Sequence, residues 1–252
     1  MLKRKMLLLL PLCLAAGAAA ADSWSRTSDV GAHPVRHDVD DQFSFAADGR
    51  IDIGNLGGSL HVAAVDQPRL TLHYERRAAT QADFDCEQLR YEHSADHLTI
   101  RIERTHSEAC REIRADDQLT LTVPRHASLK ADSIGDSVQV SGVTGAVELS
   151  SVGDSAVLEG VEQLRADSIG DHLKLSLAHL APAGINVSSV GDSVELQLAP
   201  GIGAELDVDS VGGHVTAPAL QLGSVSGGVQ SRIGGGGPAI HISSVGDDVV
   251  IR

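Results

Sequence analysis

The chain has 252 residues, a formal net charge of −14, 26 glycines and only six aromatic side chains. The acidic excess argues against nucleic acid and against anionic lipid as partners, because both require a basic protein surface. Apolar residues make up 42% of the chain, which excludes a fully disordered protein, and the shortage of rings implies a core of Val, Leu, Ile and Ala.

The first 21 residues are typical of a secretory signal peptide. Lys3, Arg4 and Lys5 precede an apolar stretch, residues 6–16, and Ala19-x-Ala21 offers a cleavage site. The apolar stretch is shorter than a typical transmembrane helix. We therefore expect the signal peptide to be cleaved and the protein to be exported to the periplasm or the cell surface. Cleavage would remove three cations and change the net charge from −14 to −17. No later apolar run is long enough to predict a transmembrane segment in the mature chain.

Two regions with different patterns follow the signal peptide. Residues 22–46 show no clear hydrophobic period and predict a loosely ordered leader. Residues 47–125 carry the alternation of apolar and polar residues that is typical of short strands. The alternating runs 89–93 and 98–102 flank a Ser94-Ala95-Asp96 turn, which predicts an antiparallel hairpin.

Cys86 and Cys110 are the two cysteines that remain after cleavage. An even pair in an exported chain is most simply a disulfide, which would close a loop of about 25 residues. The alternative is a metal site with His93 and His97. Those histidines flank a hairpin turn, however, and the cysteines lack the Cys-x-x-Cys spacing of structural zinc. The sequence therefore predicts a Cys86–Cys110 disulfide and no bound cofactor.

A tetrapeptide, Ser-[Ile/Val]-Gly-Asp, recurs through residues 126–252, which contain no aromatic residue. Complete copies begin at Ser133, Ser151, Ser168, Ser189 and Ser244, and degenerate copies begin at Ser210 and Ser224. Alternating apolar runs precede and follow the copies, which indicates two short strands per unit joined at the tetrapeptide. The glycine of each copy is expected to allow a backbone conformation that is closed to residues with a Cβ.

A unit of two short strands cannot bury its own apolar face, so successive units must stack on one another. The predicted fold class is all-β, with a parallel β-solenoid, similar to a β-helix, over residues 126–252. About six to seven short coils would form it, preceded by the antiparallel hairpin strands of residues 47–125.

The chain resembles a bacterial family of exported β-strand-repeat "putative adhesin" domains of unknown function, which is related to the head domains proposed for auto-transporter adhesins. The resemblance rests on residues 51–62 (Ile-Asp-Ile-Gly-Asn-Leu-Gly-Gly-Ser-Leu-His-Val), on Leu121-Thr-Val-Pro124 and on the recurring Gly-Asp-x-[Val/Leu] turns. It covers residues 47–252. It implies an all-β repeat protein of the cell envelope without an established activity, and it offers no catalytic residues to carry over.

Stacked coils would bring the aspartates of the complete tetrapeptides into one column, with neighbours about 5 Å apart. These aspartates are Asp136, Asp154, Asp171, Asp192 and Asp247. Like charges at that distance are unfavourable unless water or a cation screens them, so a Ca²⁺-binding edge is one hypothesis. The other is that each carboxylate accepts hydrogen bonds from turn amides and faces water.

For function, the sequence favours a non-catalytic, adhesin-like or structural module of the bacterial cell envelope. A cation-binding or carbohydrate-binding solenoid is one alternative. A polysaccharide-active enzyme is disfavoured, because the repeats hold few cations and no aromatic sugar platform, and no His pairs convincingly with a Ser and an Asp.

Two surfaces are expected to contact partners. A binding module needs a distinctive surface, and the arginine-rich stretch 76–116 is its expected place, with an envelope or surface ligand. A structural role predicts self-association through the solenoid end, where Val249-Val250-Ile251 would form an unpaired last strand.

Overall fold

The computed structural model describes residues 34–220 and 222–252. The predicted signal peptide and residues 22–33 of the predicted leader lie outside these residues. Two β-sheets pack around one apolar core, accompanied by a short helix, α1 (Gln81–Asp85), and by single 3-10 turns at Glu108–Cys110 and Pro218–Leu220. No helix in the described ranges is long and apolar enough to cross a membrane. The predicted all-β class is confirmed.

The strands are numbered along the chain, and each sheet runs in space from one edge strand to the other in the following order. The first sheet contains β1 (Val35–Ser44), β4 (Arg69–Ala78), β7 (Ala115–Pro124), β3 (Ser59–Val65), β9 (Val138–Ser141), β11 (Ala156–Glu159), β13 (Leu173–Leu177), β15 (Val194–Leu198), β21 (Val249–Ile251), β17 (His214–Ala217) and β18 (Leu222–Ser226). The second sheet contains β19 (Val229–Ile233), β16 (Ala204–Val211), β20 (Ala239–Val245), β14 (Ile185–Val187), β12 (Leu164–Ile169), β10 (Val147–Val152), β8 (Ser128–Ile134), β2 (Arg50–Leu56), β6 (His97–Arg104) and β5 (Glu87–His93).

Each complete repeat contributes residues to both sheets. After β10, for example, the backbone crosses at Gly153-Asp154 and continues as β11 in the first sheet. We call this crossing the corner of the unit. β10 pairs in parallel with β8 and β12, and β11 pairs in parallel with β9 and β13. Antiparallel strands lie at both ends of the sheets, so each sheet is mixed.

Aliphatic side chains fill the space between the sheets, because alternate residues of each strand face inward. One buried column runs along the corners: Leu56, Ile134, Val152, Ile169, Val190, Val245 and Val211. Successive members occupy equivalent positions about 4.8 Å apart. An aromatic side chain at one of these positions would need additional space in the units stacked on both sides of it. This accounts for the absence of aromatic residues from the repeats.

The aromatic side chains of the described chain lie at the N-terminal end of this core. Phe45 and Tyr74 are buried, and Phe43 packs edge-on against Phe45 with ring centroids 6.3 Å apart. Phe43 also stacks on His93 at 4.0 Å. Because Phe43 belongs to β1 and His93 to β5, these rings join the edge strands of the two sheets and close that end of the core.

Strand β1 (Val35–Ser44) corrects the expectation of a loosely ordered leader over residues 22–46 for the part of it that the structure describes. It pairs with β4 along its whole length, from Val35 opposite Ala78 to Ser44 opposite Arg69. An edge strand needs to bury only one face, and Val39 and Phe43 are the apolar contacts of β1 with the core. Two apolar residues among charged neighbours leave little periodicity for the sequence to show.

The predicted hairpin is confirmed. β5 and β6 are antiparallel, with His93 opposite Leu98 across the Ser94-Ala95-Asp96 turn. In the first sheet, β7 pairs with β3 and β3 pairs with β9, so the strands of the 47–125 region and the repeats belong to the same sheets.

Near each end of the sheets, the order of the strands along the chain differs from their order in space. β6 and β7 follow β2 and β3 in sequence but lie outside them. At the other end, the last two strands of the chain lie inside the stack: β20 between β14 and β16, and β21 between β15 and β17. The expectation that Val249–Ile251 forms an unpaired end was therefore wrong. The edge strands are β1 and β5 at one end and β18 and β19 at the other.

The two degenerate tetrapeptides occupy different positions in the fold. Residues 210–213 occupy a corner, with Val211 in register with Val245. Residues 224–226 instead belong to β18, which is antiparallel to β17. A further corner, which lacks the tetrapeptide, lies at residues 55–58, where Leu56 is in register with Ile134. The corner requires an inward apolar side chain followed by glycine, and Asn-Leu-Gly-Gly satisfies this requirement.

The corner glycines are needed because the backbones of successive corners lie close together. This corrects the expectation from the sequence, which was a backbone conformation that is closed to residues with a Cβ. Left-handed φ values occur in the opposite connections, at Gly142, Gly160 and Gly184, and at none of the glycines in the complete tetrapeptides. A Cβ on Gly153 would lie 2.0 Å from the carbonyl oxygen of Gly135, and a Cβ on Gly170 would lie 2.0 Å from that of Gly153. Successive corners therefore stack too closely for any side chain.

Candidate functional site

The aspartates of the complete tetrapeptides lie in one column. The amide of Asp154 donates to the carbonyl of Asp136 at 3.0 Å, and the same bond joins Asp171 to Asp154, Asp192 to Asp171 and Asp247 to Asp192 at 2.8–2.9 Å. Gly58 and Gly213 continue the backbone column at its two ends. The tetrapeptides are unequally spaced in the sequence, but this does not disturb the register of their corners. The longer units place their additional residues in the connections away from the corners.

The side chains of this column are exposed or half-buried. In the described chain, no group of three or more His, Cys, Asp or Glu side chains is arranged to hold a metal ion. His172 lies next to the column, with its Nδ1 atom 3.2 Å from an Asp192 carboxylate oxygen. The structure thus stacks the backbones of the five predicted aspartates in register, without a closed coordination shell among the described residues.

His172 is relevant to the enzyme hypothesis, because its ring contacts both a carboxylate and a hydroxyl group. Its Nδ1 atom is 2.9 Å from Ser193 Oγ and 3.2 Å from Asp192. A relay of the Ser-His-Asp type needs the acid on one ring nitrogen and the nucleophile on the other. Both contacts of His172 fall on the same nitrogen, so this arrangement cannot transfer a proton from Ser193 towards Asp192.

A polar cleft of about 890 Å³ opens between the corners of the first units and the segment that carries the disulfide. We call residues 79–114 the disulfide segment. The corner wall of the cleft includes Asn55, Ser133, Ser151 and the glycines at 57, 135 and 153. The opposite wall includes Glu87, Ile102, Glu103, Arg104 and His106. Hydroxyl, amide, carboxylate, guanidinium and imidazole groups therefore face one recess.

The corner wall contains two unusual backbone conformations. Asn55 and Ser133 have φ values of 58° and 57°, and they are the two non-glycine residues with positive φ in the described chain. They occupy equivalent positions, since Leu56 and Ile134, which follow them, are in register. Left-handed conformations are uncommon outside glycine and cluster at functional sites. No sequence pattern marks Ser133, because the equivalent serines Ser151, Ser168 and Ser189 do not share this conformation.

A buried ion network lies beneath the cleft. Arg76 is 2% exposed and donates from Nη1 to Glu87 at 2.8 Å and to both carboxylate oxygens of Asp117 at 3.1 Å. The Tyr74 hydroxyl donates to Asp117 at 2.9 Å. Because Glu87 also lines the cleft, the network connects one wall of the cleft to the strands β4 and β7 beneath it. Sequence reasoning missed these residues, since a buried Arg has no periodic signature.

Burial raises the pKa of Asp117 to about 6, although the Arg76 guanidinium and the Tyr74 hydroxyl oppose the rise. One guanidinium is shared by two carboxylates and cannot compensate for the burial of both. The folded protein thus binds this proton more tightly than the unfolded chain, in which an aspartate titrates near 3.8. The contribution of this group to stability therefore increases as the pH falls and is lost as the pH rises through about 6.

We therefore expect the melting temperature to rise when the pH is lowered from about 7.5 to about 5, and we expect Asp117→Asn to reduce that rise. Melting followed by circular dichroism at both pH values measures the difference. Asp48→Asn is the matched control, since it changes an exposed carboxylate that does not act on Asp117. A rise as large in Asp117→Asn as in the wild type would contradict the assignment.

The predicted disulfide between Cys86 and Cys110 is confirmed, with Cα atoms 5.5 Å apart. It ties the end of α1 to the 3-10 turn at Glu108–Cys110. The Arg104 guanidinium reinforces this closure by donating to the carbonyl oxygens of Cys110 at 2.6 Å and of Arg111 at 2.9 Å. The disulfide segment is therefore held at its base next to the cleft.

Replacing both cysteines by alanine is expected to lower the free energy of unfolding by about 3 kcal/mol, because the unfolded chain regains the entropy of an open loop. Urea unfolding of Cys86→Ala/Cys110→Ala beside the wild type measures this loss. Reductant should destabilise the wild type and leave the double variant unchanged. Equal stability of the two proteins would show that the bond is not a structural support.

The arginine-rich stretch 76–116 does not present a uniform basic surface. Five of its arginines have acidic partners: Arg76 with Asp117 and Glu87, Arg77 with Glu75, Arg90 with Glu103, Arg104 with Glu87, and Arg111 with Glu108. These charges are compensated locally. The stretch contributes to the cleft by its shape and its mixed polarity.

Comparison with known proteins finds no matching family model and no matching curated protein. Among solved structures, a "putative cell adhesion protein" of Clostridium sporogenes is similar at 10% identity and a TM-score of 0.49, covering 87% of this chain and 99% of its own. A "putative adhesin" of Bacteroides fragilis is similar at 13% identity and a TM-score of 0.26, covering 88% and 99%. A "putative lipid binding protein" of Parabacteroides distasonis has 10% identity and a TM-score of 0.28, covering 85% and 96%. Two of these names agree with the family that the sequence resembles, but likeness at this level carries no argument about function.

Proposed function

We propose that the chain is an exported, non-catalytic, adhesin-like module of the bacterial cell envelope, whose repeats form a parallel β-solenoid. The observation that carries the proposal is the polar cleft between the disulfide segment and the corners of the first units. The solenoid acts as a rigid support, and the cleft is the place where an envelope or surface ligand binds. The periplasm or the cell surface is its compartment, in keeping with the signal-like residues 1–21 and with the disulfide.

The support for a rigid scaffold comes from the corners. Amide-to-carbonyl bonds of 2.7–3.0 Å link corner glycines from Gly135 to Gly246 to the unit stacked before them. Each unit is thus fixed to its neighbours on both sides, and the cleft wall cannot change shape without breaking several such bonds. Rigid elements position a binding site more accurately than mobile loops do. The opposite wall is built on β5 and β6 of the second sheet, and the disulfide restrains the turn that follows β6.

Two serines of the repeat allow a matched test of the cleft. Ser151 lines the cleft, and Ser168 is its partner in register in the next unit, exposed like Ser151 and absent from the lining. An arginine at position 151 would fill the recess, whereas an arginine at position 168 would extend into water. Wild type, Ser151→Arg and Ser168→Arg are compared for binding to immobilised envelope polysaccharides and extracellular-matrix proteins.

We expect the wild type and Ser168→Arg to bind at least one of these surfaces, and Ser151→Arg to bind at least about tenfold more weakly, since about 1.4 kcal/mol of lost contact suffices for that change. Circular dichroism confirms that all three proteins are folded. If the wild type binds none of the surfaces, or if the two variants bind equally, the proposal is overturned.

A cation-binding edge is the second candidate, favoured by the in-register column of Asp136, Asp154, Asp171, Asp192 and Asp247. Stacked carboxylates repel one another, and a divalent cation between neighbours would relieve that repulsion. Under this candidate, calcium raises the melting temperature above its value in chelator, and Asp171→Asn removes most of the increase. Identical melting in calcium and in chelator dismisses it.

A further inference from the structure

The two ends of the sheets differ in how their edge strands are protected. At the N-terminal end, β1 and β5 carry many ionisable side chains: Arg36, His37, Asp38, Asp40 and Asp41 on β1, and Glu87, Arg90, Glu92 and His93 on β5. Charged edges are a common means by which proteins prevent strands of other molecules from pairing with them. At the other end, β18 has the sequence Leu-Gly-Ser-Val-Ser, with no ionisable residue.

The covering of the core also differs between the ends. Rings of Phe43, Phe45 and His93 close the N-terminal end. Partly buried apolar side chains lie at both ends, among them Val39, Leu89 and Tyr91 at the N-terminal end and Ile202, Leu220 and Ile233 at the β18 end. Val225 of β18 is 36% exposed and is the exposed large hydrophobic side chain of the described chain.

Strand β18 has one edge without a partner strand among the described residues. It pairs with β17 on one side, with Val225 opposite Val215, and it is the last strand of the first sheet. Its outer edge therefore presents backbone N–H and C=O groups that a further strand could satisfy. The other edge strand at this end, β19, carries Arg232, but that charge is paired with Glu205 at 2.8 Å.

We propose that β18 pairs antiparallel with β18 of a second copy, forming a two-fold symmetric dimer at this end of the molecule. A two-fold interface brings the same patch of both copies together, so the patch must complement itself. Pairing centred on Val225 places this residue opposite its own counterpart and places Ser224 opposite Ser226 of the second copy. No like charges meet in this arrangement.

The net charge of the chain favours this edge for contact between copies. At −14, two copies repel each other over most of their surfaces, and the β1 edge would bring three aspartates towards three more. The uncharged β18 edge is where two strands can approach within hydrogen-bond distance at the smallest electrostatic cost. The self-association that the sequence suggested for Val249–Ile251 is thereby assigned to a different strand.

Sedimentation velocity of the mature chain over a range of concentrations tests the dimer. We expect a monomer–dimer equilibrium for the wild type and a dissociation constant raised by about tenfold or more in Val225→Lys, because two lysines would then face each other across the strand pair. Gln88→Lys, an exposed change on the opposite edge strand β5, should leave the equilibrium unchanged. A wild type that stays monomeric at every concentration, or equal weakening by the two variants, would overturn the proposal.

Cross-linking tests the register separately. Opposed residues of an antiparallel pair are close enough for a disulfide, so Val225→Cys should form a covalent dimer on mild oxidation. Gln88→Cys should remain monomeric under the same conditions. If Val225→Cys dimerises no more than Gln88→Cys does, the β18 pairing is wrong, whatever the sedimentation result.

Discussion

Gly170→Ala is expected to lower the free energy of unfolding by about 4 kcal/mol or more, which few single substitutions do. The added Cβ would lie 2.0 Å from the carbonyl oxygen of Gly153 and 2.7 Å from its carbonyl carbon. Both atoms belong to backbone, so no side chain can rotate away to make room. Relief would require the corners at 153 and 170 to separate, and this would break the 2.9 Å bond from the Gly170 amide to the Val152 carbonyl.

Urea unfolding measures the effect, and Gly223→Ala is the matched control. A Cβ on Gly223 would meet no heavy atom within 4 Å, and the φ of this residue is ordinary, so alanine there should change stability by less than about 0.5 kcal/mol. If Gly170→Ala were as stable as Gly223→Ala, the corners could not be packed as closely as these distances require.

Removal of residues 239–252 is expected to abolish cooperative folding of the C-terminal half of the stack. The deleted segment contains β20 and β21, which pair on both sides with strands that remain. It also contains five side chains that are at most 2% exposed: Ile240, Ile242, Val245, Val249 and Ile251. At about 2 kcal/mol for each buried side chain, the loss is on the order of 10 kcal/mol, which is comparable with the whole stability of a domain.

A terminal strand at an open end would predict a much smaller loss, so the truncation distinguishes the two topologies. A matched pair of substitutions gives the same answer in a protein that still folds. Val249 is 0% exposed and faces the core, whereas its neighbour Val250 is half-buried on the outer face. We expect Val249→Ala to cost about 2 kcal/mol and Val250→Ala less than about 0.5 kcal/mol in urea unfolding. Equal costs, or a truncated chain that melts like the wild type, would contradict an internal position for β21.

Several features of the fold could be predicted because they depend on residues close together in the chain. The alternation around each tetrapeptide identifies the strands, and the hairpin at 89–102 is visible from its turn. The disulfide follows from the even pair of cysteines, Cys86 and Cys110, that lies beyond the predicted signal peptide. The column of aspartates follows from the tetrapeptide, once the units stack.

The cleft could not be predicted, because its walls come from segments that are distant in sequence. Ser133 and Glu87 lie on opposite walls, and no local pattern connects them. The network beneath the cleft has the same origin: Arg76 reaches Asp117 across β4 and β7, which pair over a connection of 36 residues. In the sequence, Arg76 is one arginine in a charged stretch, and only the pairing of these strands shows that it is buried.

The sequence by itself therefore determined the repeating unit, namely two short strands, an inward aliphatic residue and a glycine at each corner. It did so because each unit meets the same local packing requirement. Only the tertiary structure decided the order of the units, the identity of the edge strands and the position of the cleft. The strands β16 and β20 have similar alternation and either could pair with β14. The positions of β16 and β20 in the sheet are those at which the connecting segments can close and the most apolar surface is buried. Both conditions depend on the whole chain.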